Sequence, residues 1–133
     1  MEAALGSHSY GQLSYHLIIV TKYRRPALKG LSDEVKLVLN EIAIENRMRM
    51  HAIEVASDHV HMFISVKYTQ PLPEAVQRLK GKSSYILFKS HPEIKRMLWG
   101  GHLWGRQKFI RSVGSVTEEA IRRYIADSKT HDL

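Results

Sequence analysis

From His59 to Tyr68 the side chains alternate so regularly that an extended strand is the only regular structure that sorts them. His59, His61, Phe63, Ser65 and Lys67 fall on one side, and Val60, Met62, Ile64 and Val66 on the other, because successive strand residues point to opposite faces. A helix would scatter both sets around its axis. The apolar set belongs against a core, and a one-residue slip of register would carry all of it into water. The other set therefore faces away from that core, and it opens with two histidines.

Around this strand the remaining elements fall into order. Leu13-Ser-Tyr-His-Leu-Ile-Ile-Val20 is rich in β-branched and aromatic residues and predicts a first strand. Its apolar end suits the middle of a sheet. Lys22-Tyr-Arg-Arg-Pro26 leaves it as a basic turn, since Pro26 has no N–H for a ladder. Ser32-Asp-Glu-Val35 predicts a helix start, with Ser32 as cap and the acids in the first turn. An apolar face of Val35, Val38, Leu39 and Ile42 carries that helix to about Arg47. Residues 50–56 read as a second strand and Ser57-Asp58 as the turn into the third. Pro71 and Pro73 open a helix from about Pro73 to Ser90. Residues 102–113, with Leu103, Trp104, Phe109 and Ile110, read as a fourth strand with an irregular start. Thr117-Glu-Glu-Ala begins a last helix over about 117–130. The order β-α-β-β-α-β-α contains the split βαβ pattern, so the expected class is α+β: a ferredoxin-like (RRM-like) antiparallel sheet with two helices on one face, plus a C-terminal helix. Its other face is left for a ligand or partner. Residues 1–12 read as a flexible tail and 13–133 as a single domain, in keeping with a length of 133 residues.

Charge narrows the partners. Twenty Lys and Arg against thirteen Asp and Glu give +7 and a pI near 9.8. Between Arg78 and Arg111 nine basic residues face a single acid, Glu93, and Lys22, Arg24, Arg25 and Lys29 form a second cluster. Such one-sided fields attract polyanions, above all nucleic acid; they also occur as plain solvated surface. The absence of cysteine excludes disulfides, thiolate zinc sites and cysteine nucleophiles, and fits a cytoplasmic protein. No apolar run approaches the ~20 residues of a membrane span.

The chemistry-bearing residues are few. Two histidines at i and i+2 of a strand have Cα atoms about 6.5–7 Å apart, close enough for His59 and His61 to converge on one metal ion. Asp58, just before them, is placed to orient a ligand from behind. The same pair also fits a solvated or nucleic-acid-facing surface, and two ligands do not complete a site. Tyr124 sits on the last helix among Val116, Ala120, Ile121 and Ile125, where a core-edge aromatic is also at home. Asp127 and Ser128, three and four residues on, share its side of the helix. Other motifs fail. Gly81-Lys82-Ser83 resembles the end of a phosphate loop, but Val76 stands where the earlier glycine is required and the segment is helical. A zinc deaminase needs His-x-Glu with paired cysteines, and an RNA-recognition module needs aromatic-rich strands that are missing here.

Taken in order, Lys22-Tyr-Arg-Arg25, Asp58-His-Val-His61, Lys80-Gly-Lys-Ser-Ser84, Leu103-Trp104 with Phe109-Ile110 and Ser112-Val-Gly114, and Tyr124 on a final helix resemble the single-tyrosine HUH transposases of IS200/IS605-type insertion sequences. The resemblance spans about Leu13 to Lys129. It implies that His59 and His61 hold a divalent metal, Mg2+ or Mn2+, and that Tyr124 is the nucleophile. It implies further that the substrate is single-stranded DNA with hairpin ends, and that the protein works as a homodimer with active sites shared between subunits. The family usually places a glutamine one turn after the tyrosine as third ligand. Ser128 stands there instead, which leaves Asp127, Ser128 or water for that role. Lys22, Arg24, Arg25, Lys80, Lys82, Ser83, Arg106, Lys108 and Arg111 are the expected DNA contacts. A non-catalytic nucleic-acid-binding protein and a metal-dependent phosphodiesterase are the rival classes.

Overall fold

The computed structural model describes residues 12–98, 101–114 and 123 of the chain. The strands are β1 (Gln12–Thr21), β2 (Arg49–Val55), β3 (His59–Lys67) and β4 (Trp104–Gly114). The helices are α1 (Ser32–Glu45), α2 (Leu72–Ser90) and α3 (Pro92–Met97), and a single 3-10 turn covers Lys22–Arg24. Apart from Arg123, the expected C-terminal helix over about 117–130, with Tyr124, Asp127 and Ser128, lies outside the described residues, as does the N-terminal tail up to residue 11.

The strands form one sheet in the order β2-β3-β1-β4, antiparallel at every pairing. β3 is inserted between the strands that α1 connects, which is the ferredoxin-like α+β arrangement. Leu17 and Ile19 of β1 and Val60, Met62, Ile64 and Val66 of β3 pack against Val35, Leu39 and Ile42 of α1 and Ala75, Val76, Leu79 and Leu87 of α2. Fully burying one such aliphatic side chain contributes about 1.5–3 kcal/mol, so this face fixes the register of β3.

Three local features differ from expectation. Ser32 is the first helical residue rather than the cap: Leu31 takes that place without a side-chain bond, and its carbonyl accepts from Val35 N–H at 2.9 Å. β4 starts at Trp104, because the preceding Leu103 is buried and spends its carbonyl on the Lys22 N–H at 2.9 Å. α3 is a short helix led by Pro92 in the stretch between α2 and β4. On the face away from the helices, the middle is filled by the protein itself. Phe63 is buried and stacks on His16, and buried Ser14 and Ser65 share a 2.6 Å hydrogen bond. Phe109 and Arg111 of β4 remain exposed on that face.

Candidate functional site

His59 and His61 lie at the start of β3, both half-buried, opposite Val20 and Ile18 of β1. Each ring is held by a different neighbour. The carboxylate of Asp58 meets His59 Nδ1 at 2.9 Å through one oxygen and accepts from Arg24 Nε at 3.3 Å through the other. An ionised carboxylate only accepts, so His59 donates from Nδ1, and Nε2 is the nitrogen left for a ligand. The bond from His59, followed by the nearby Arg24 charge, holds the Asp58 carboxyl below its usual pKa against the opposing effect of burial.

His61 Nε2 lies 3.2 Å from His16 Nδ1, and His16 is stacked between His61 and Phe63. Burial, and then the nearby His59, lowers the pKa of His61; burial, and then His61, lowers that of His16. Both therefore stay neutral near pH 7, the form in which imidazole binds a metal. The donor chemistry suits a divalent ion: two imidazoles, one backed by a carboxylate. Imidazole favours manganese or zinc over magnesium, which prefers oxygen. Among the described residues no group of three His, Cys, Asp or Glu side chains is arranged to hold an ion; the expected third-ligand candidates, Asp127 and Ser128, lie outside the described residues.

The turn that brings Arg24 to Asp58 is strained. Tyr23 and Arg24 both have left-handed backbone, with φ of 59° and 53°. Each such residue costs on the order of 1–3 kcal/mol and is found where the surroundings over-determine it. Here the surroundings are visible. Thr21 N–H and its hydroxyl both donate to the Asp58 carbonyl, at 3.0 and 3.2 Å, and the hydroxyl also donates to the Arg25 carbonyl at 2.6 Å. The end of β1, the basic turn and the histidine loop are one unit.

Beside that unit, between α2 and the ends of β1 and β4, runs an open groove of about 1150 Å3. Lys22, Arg24, Lys80, Arg106 and Lys108, five of the nine expected DNA contacts, line it with the exposed Tyr23. Lys80 also donates to the Gly105 carbonyl at 2.8 Å, and burial, then the Lys108 charge, lowers its pKa. The others lie elsewhere. Arg25 is exposed on the same turn. Lys82 is paired with Glu45 at 2.6 Å, which offsets its charge. Arg111 is exposed opposite His16, on the histidine side of the sheet. Ser83 cannot serve as a DNA contact: it is fully buried, its hydroxyl donates to the Leu79 carbonyl and it accepts from Trp104 Nε1 at 2.9 Å. His16 went unassigned in the sequence. The alternation of Ser14, His16 and Ile18 marks its face, but only the β1–β3 register puts it beside His61.

Comparison with known proteins follows the same lines. The family model described as "Transposase IS200 like" matches residues 9–128, a stretch that includes the histidine pair, the groove and Tyr124. The ISDra2 transposase TnpA of Deinococcus radiodurans is 40% identical over 115 residues, covering 86% of this chain and 82% of that protein. The transposase for insertion sequence element IS200 of Salmonella typhimurium is 27% identical over 127 residues, covering 95% and 83%. Among solved structures, a candidate transposase from Deinococcus radiodurans R1 superposes with a TM-score of 0.70 at 34% identity, covering 87% of this chain and 90% of that one. A REP-associated tyrosine transposase bound to a REP hairpin superposes at 0.57 with 9% identity, covering 92% and 69%, a likeness of fold.

Proposed function

This chain belongs to the IS200-like transposase family, and from that premise we propose that it cuts and rejoins single-stranded DNA at insertion-sequence ends through a covalent 5′-phosphotyrosine at Tyr124. The observation that carries the reading is the pair of imidazoles with His59 held by Asp58, joined through Arg24 to a groove lined by five cations. The hairpin-bound neighbour supports a folded single strand as the substrate form.

A free phenol has a pKa near 10 and is a weak nucleophile at neutral pH. His59 and His61 would hold a divalent ion, Mg2+ or Mn2+, completed by Asp127, Ser128 or water. When bound, the ion supplies Lewis-acid polarisation of the scissile phosphate's non-bridging oxygens. Tyr124 Oη forms the new P–O bond and gives its proton to solvent. The bond from phosphorus to the 3′ oxygen breaks, and that oxygen picks up a proton to leave as a free 3′-hydroxyl. One phosphodiester replaces another, so the step is close to energy-neutral and a second 3′-hydroxyl can reverse it. No nucleotide hydrolysis is needed. Lys22, Arg24, Lys80, Arg106 and Lys108 draw the backbone into the groove, with Arg25 and Arg111 at its flanks. The protein acts as a homodimer in which the tyrosine helix of one subunit completes the histidine site of the other.

The test is labelled single-stranded DNA with a hairpin, incubated with protein and Mn2+ and run on a denaturing gel. A protein–DNA band that disappears in Tyr124→Phe and His61→Ala is the expected result. Free nicked product without an adduct would indicate a hydrolase, and retained binding without cutting a binding module. Mixing the two inactive variants distinguishes the assembly: recovered activity means shared sites.

A further inference from the structure

Arg24 lies at the meeting point of the groove and the histidine site, and its side chain is committed to one of them. It lines the groove, yet its Nε–H donates to Asp58 Oδ2 at 3.3 Å while Oδ1 of the same carboxylate holds His59 Nδ1 at 2.9 Å. A carboxylate gripped through one oxygen can still swing about its Cβ–Cγ bond. Gripped through both, its plane is fixed, and the hydrogen bond to His59 fixes the imidazole in turn. The pair is exposed on the Arg24 side, 56% against 28% for Asp58, so as a surface ion pair it adds little to stability. The fold nevertheless holds Tyr23 and Arg24 in consecutive left-handed conformations, φ 59° and 53°, in the turn that delivers this guanidinium.

We propose that Arg24 is a positioning residue of the metal site, acting through Asp58 to hold His59 Nε2 toward the ion, rather than only a phosphate contact. The proposal rests on the reading of His59 and His61 as metal ligands. Charge works against it in a useful way. Removing a cation near a cation site raises metal affinity by Coulomb's law, so a loss of affinity on removing Arg24 can come only from orientation.

The experiment is Mn2+ binding to the full chain without DNA, followed by electron paramagnetic resonance, for the wild type, Arg24→Asn, Asp58→Asn, the double variant and His61→Ala. Asparagine accepts left-handed backbone, so Arg24→Asn keeps the turn, and an unchanged melting temperature checks the fold. Losing a direct partner of a ligand costs about 10–100-fold in metal affinity; Arg24→Asn, one bond further out, is expected to cost about three- to tenfold on that scale. In the Asp58→Asn background the Arg24 substitution should have no further effect, because its route to the site is already cut. Unchanged or raised affinity in Arg24→Asn, or a full Arg24 effect without Asp58, overturns the inference while leaving the metal site in place. Equal Mn2+ binding by wild type and His61→Ala overturns the metal reading itself, and the inference with it.

Discussion

The Asp58 carboxylate does two things at once, and a substitution there separates them. Asp58→Asn leaves a similar shape but puts a neutral amide against His59 Nδ1 and Arg24 Nε. Cleavage and Mn2+ affinity should both fall by about 10–100-fold, measured by adduct formation and metal titration, while hairpin affinity changes little. A second residue-scale test concerns pH. His91 Nε2 pairs with Glu34 Oε1 at 2.7 Å and its Nδ1 with Glu93 Oε2 at 3.3 Å. The Glu34 bond first, with help from Glu93, raises the His91 pKa above its usual value. A raised folded pKa means stability that is full below the unfolded value, about 6.5, and lost as pH climbs through the folded one. The melting temperature difference between wild type and His91→Gln should therefore be largest below the unfolded value of about 6.5 and shrink as pH rises above it. A difference constant with pH would refute the ion pair. Residue placement was legible where alternation alone decides it: His59 and His61 share a face whatever their neighbours are. His16 was not, because its place beside His61 depends on which strand pairs with which. Ser83 was drawn toward the DNA contacts by the basic run around it, although its spacing with Val76, Leu79 and Leu87 already set it on the buried stripe of α2.

At the scale of elements, two polar contacts join α2 to β4. Trp104 Nε1–H donates to Ser83 Oγ at 2.9 Å, and Lys80 reaches the Gly105 carbonyl at 2.8 Å. Ser83→Ala leaves the indole N–H buried without its acceptor, a loss of about 1–3 kcal/mol, to be read by urea unfolding. DNA affinity of the folded variant should be unchanged; a selective fall in affinity would restore Ser83 to the DNA contacts. All four strands and both long helices were visible in the sequence, most of them by apolar periodicity and β4 by its aromatic and β-branched residues. Their ends were less so. Ser32 looks like a cap by residue type, but the chain arrives from Leu31 with the first carbonyl already placed. The six residues of α3 and the three of the 3-10 turn are too short to show a helical period at all.

For the whole molecule the question is how a net charge of +7 is arranged. The nine cations between Arg78 and Arg111 read as one basic run, yet the fold divides them. Lys82 turns to Glu45 and Arg78 to Glu74 and Asn46, while Lys80, Arg106 and Lys108 gather with Lys22 and Arg24 from another part of the sequence. If about five phosphates of a single strand are neutralised, log affinity falls with log salt at a slope near −3.5. Arg106→Ala should flatten it by about 0.7, and Lys82→Ala, whose charge is already offset, by much less. Equal effects from the two would mean that the groove is not the binding surface. In the proposed reaction the phosphate ends on one particular phenol. Digesting the covalent complex and mapping the modified peptide by mass spectrometry tests this directly. The nucleotide is expected on Tyr124 alone, in a metal-dependent manner lost in His61→Ala; a nucleotide on another side chain, or an unmodified Tyr124 in a protein that still cuts DNA, would contradict it.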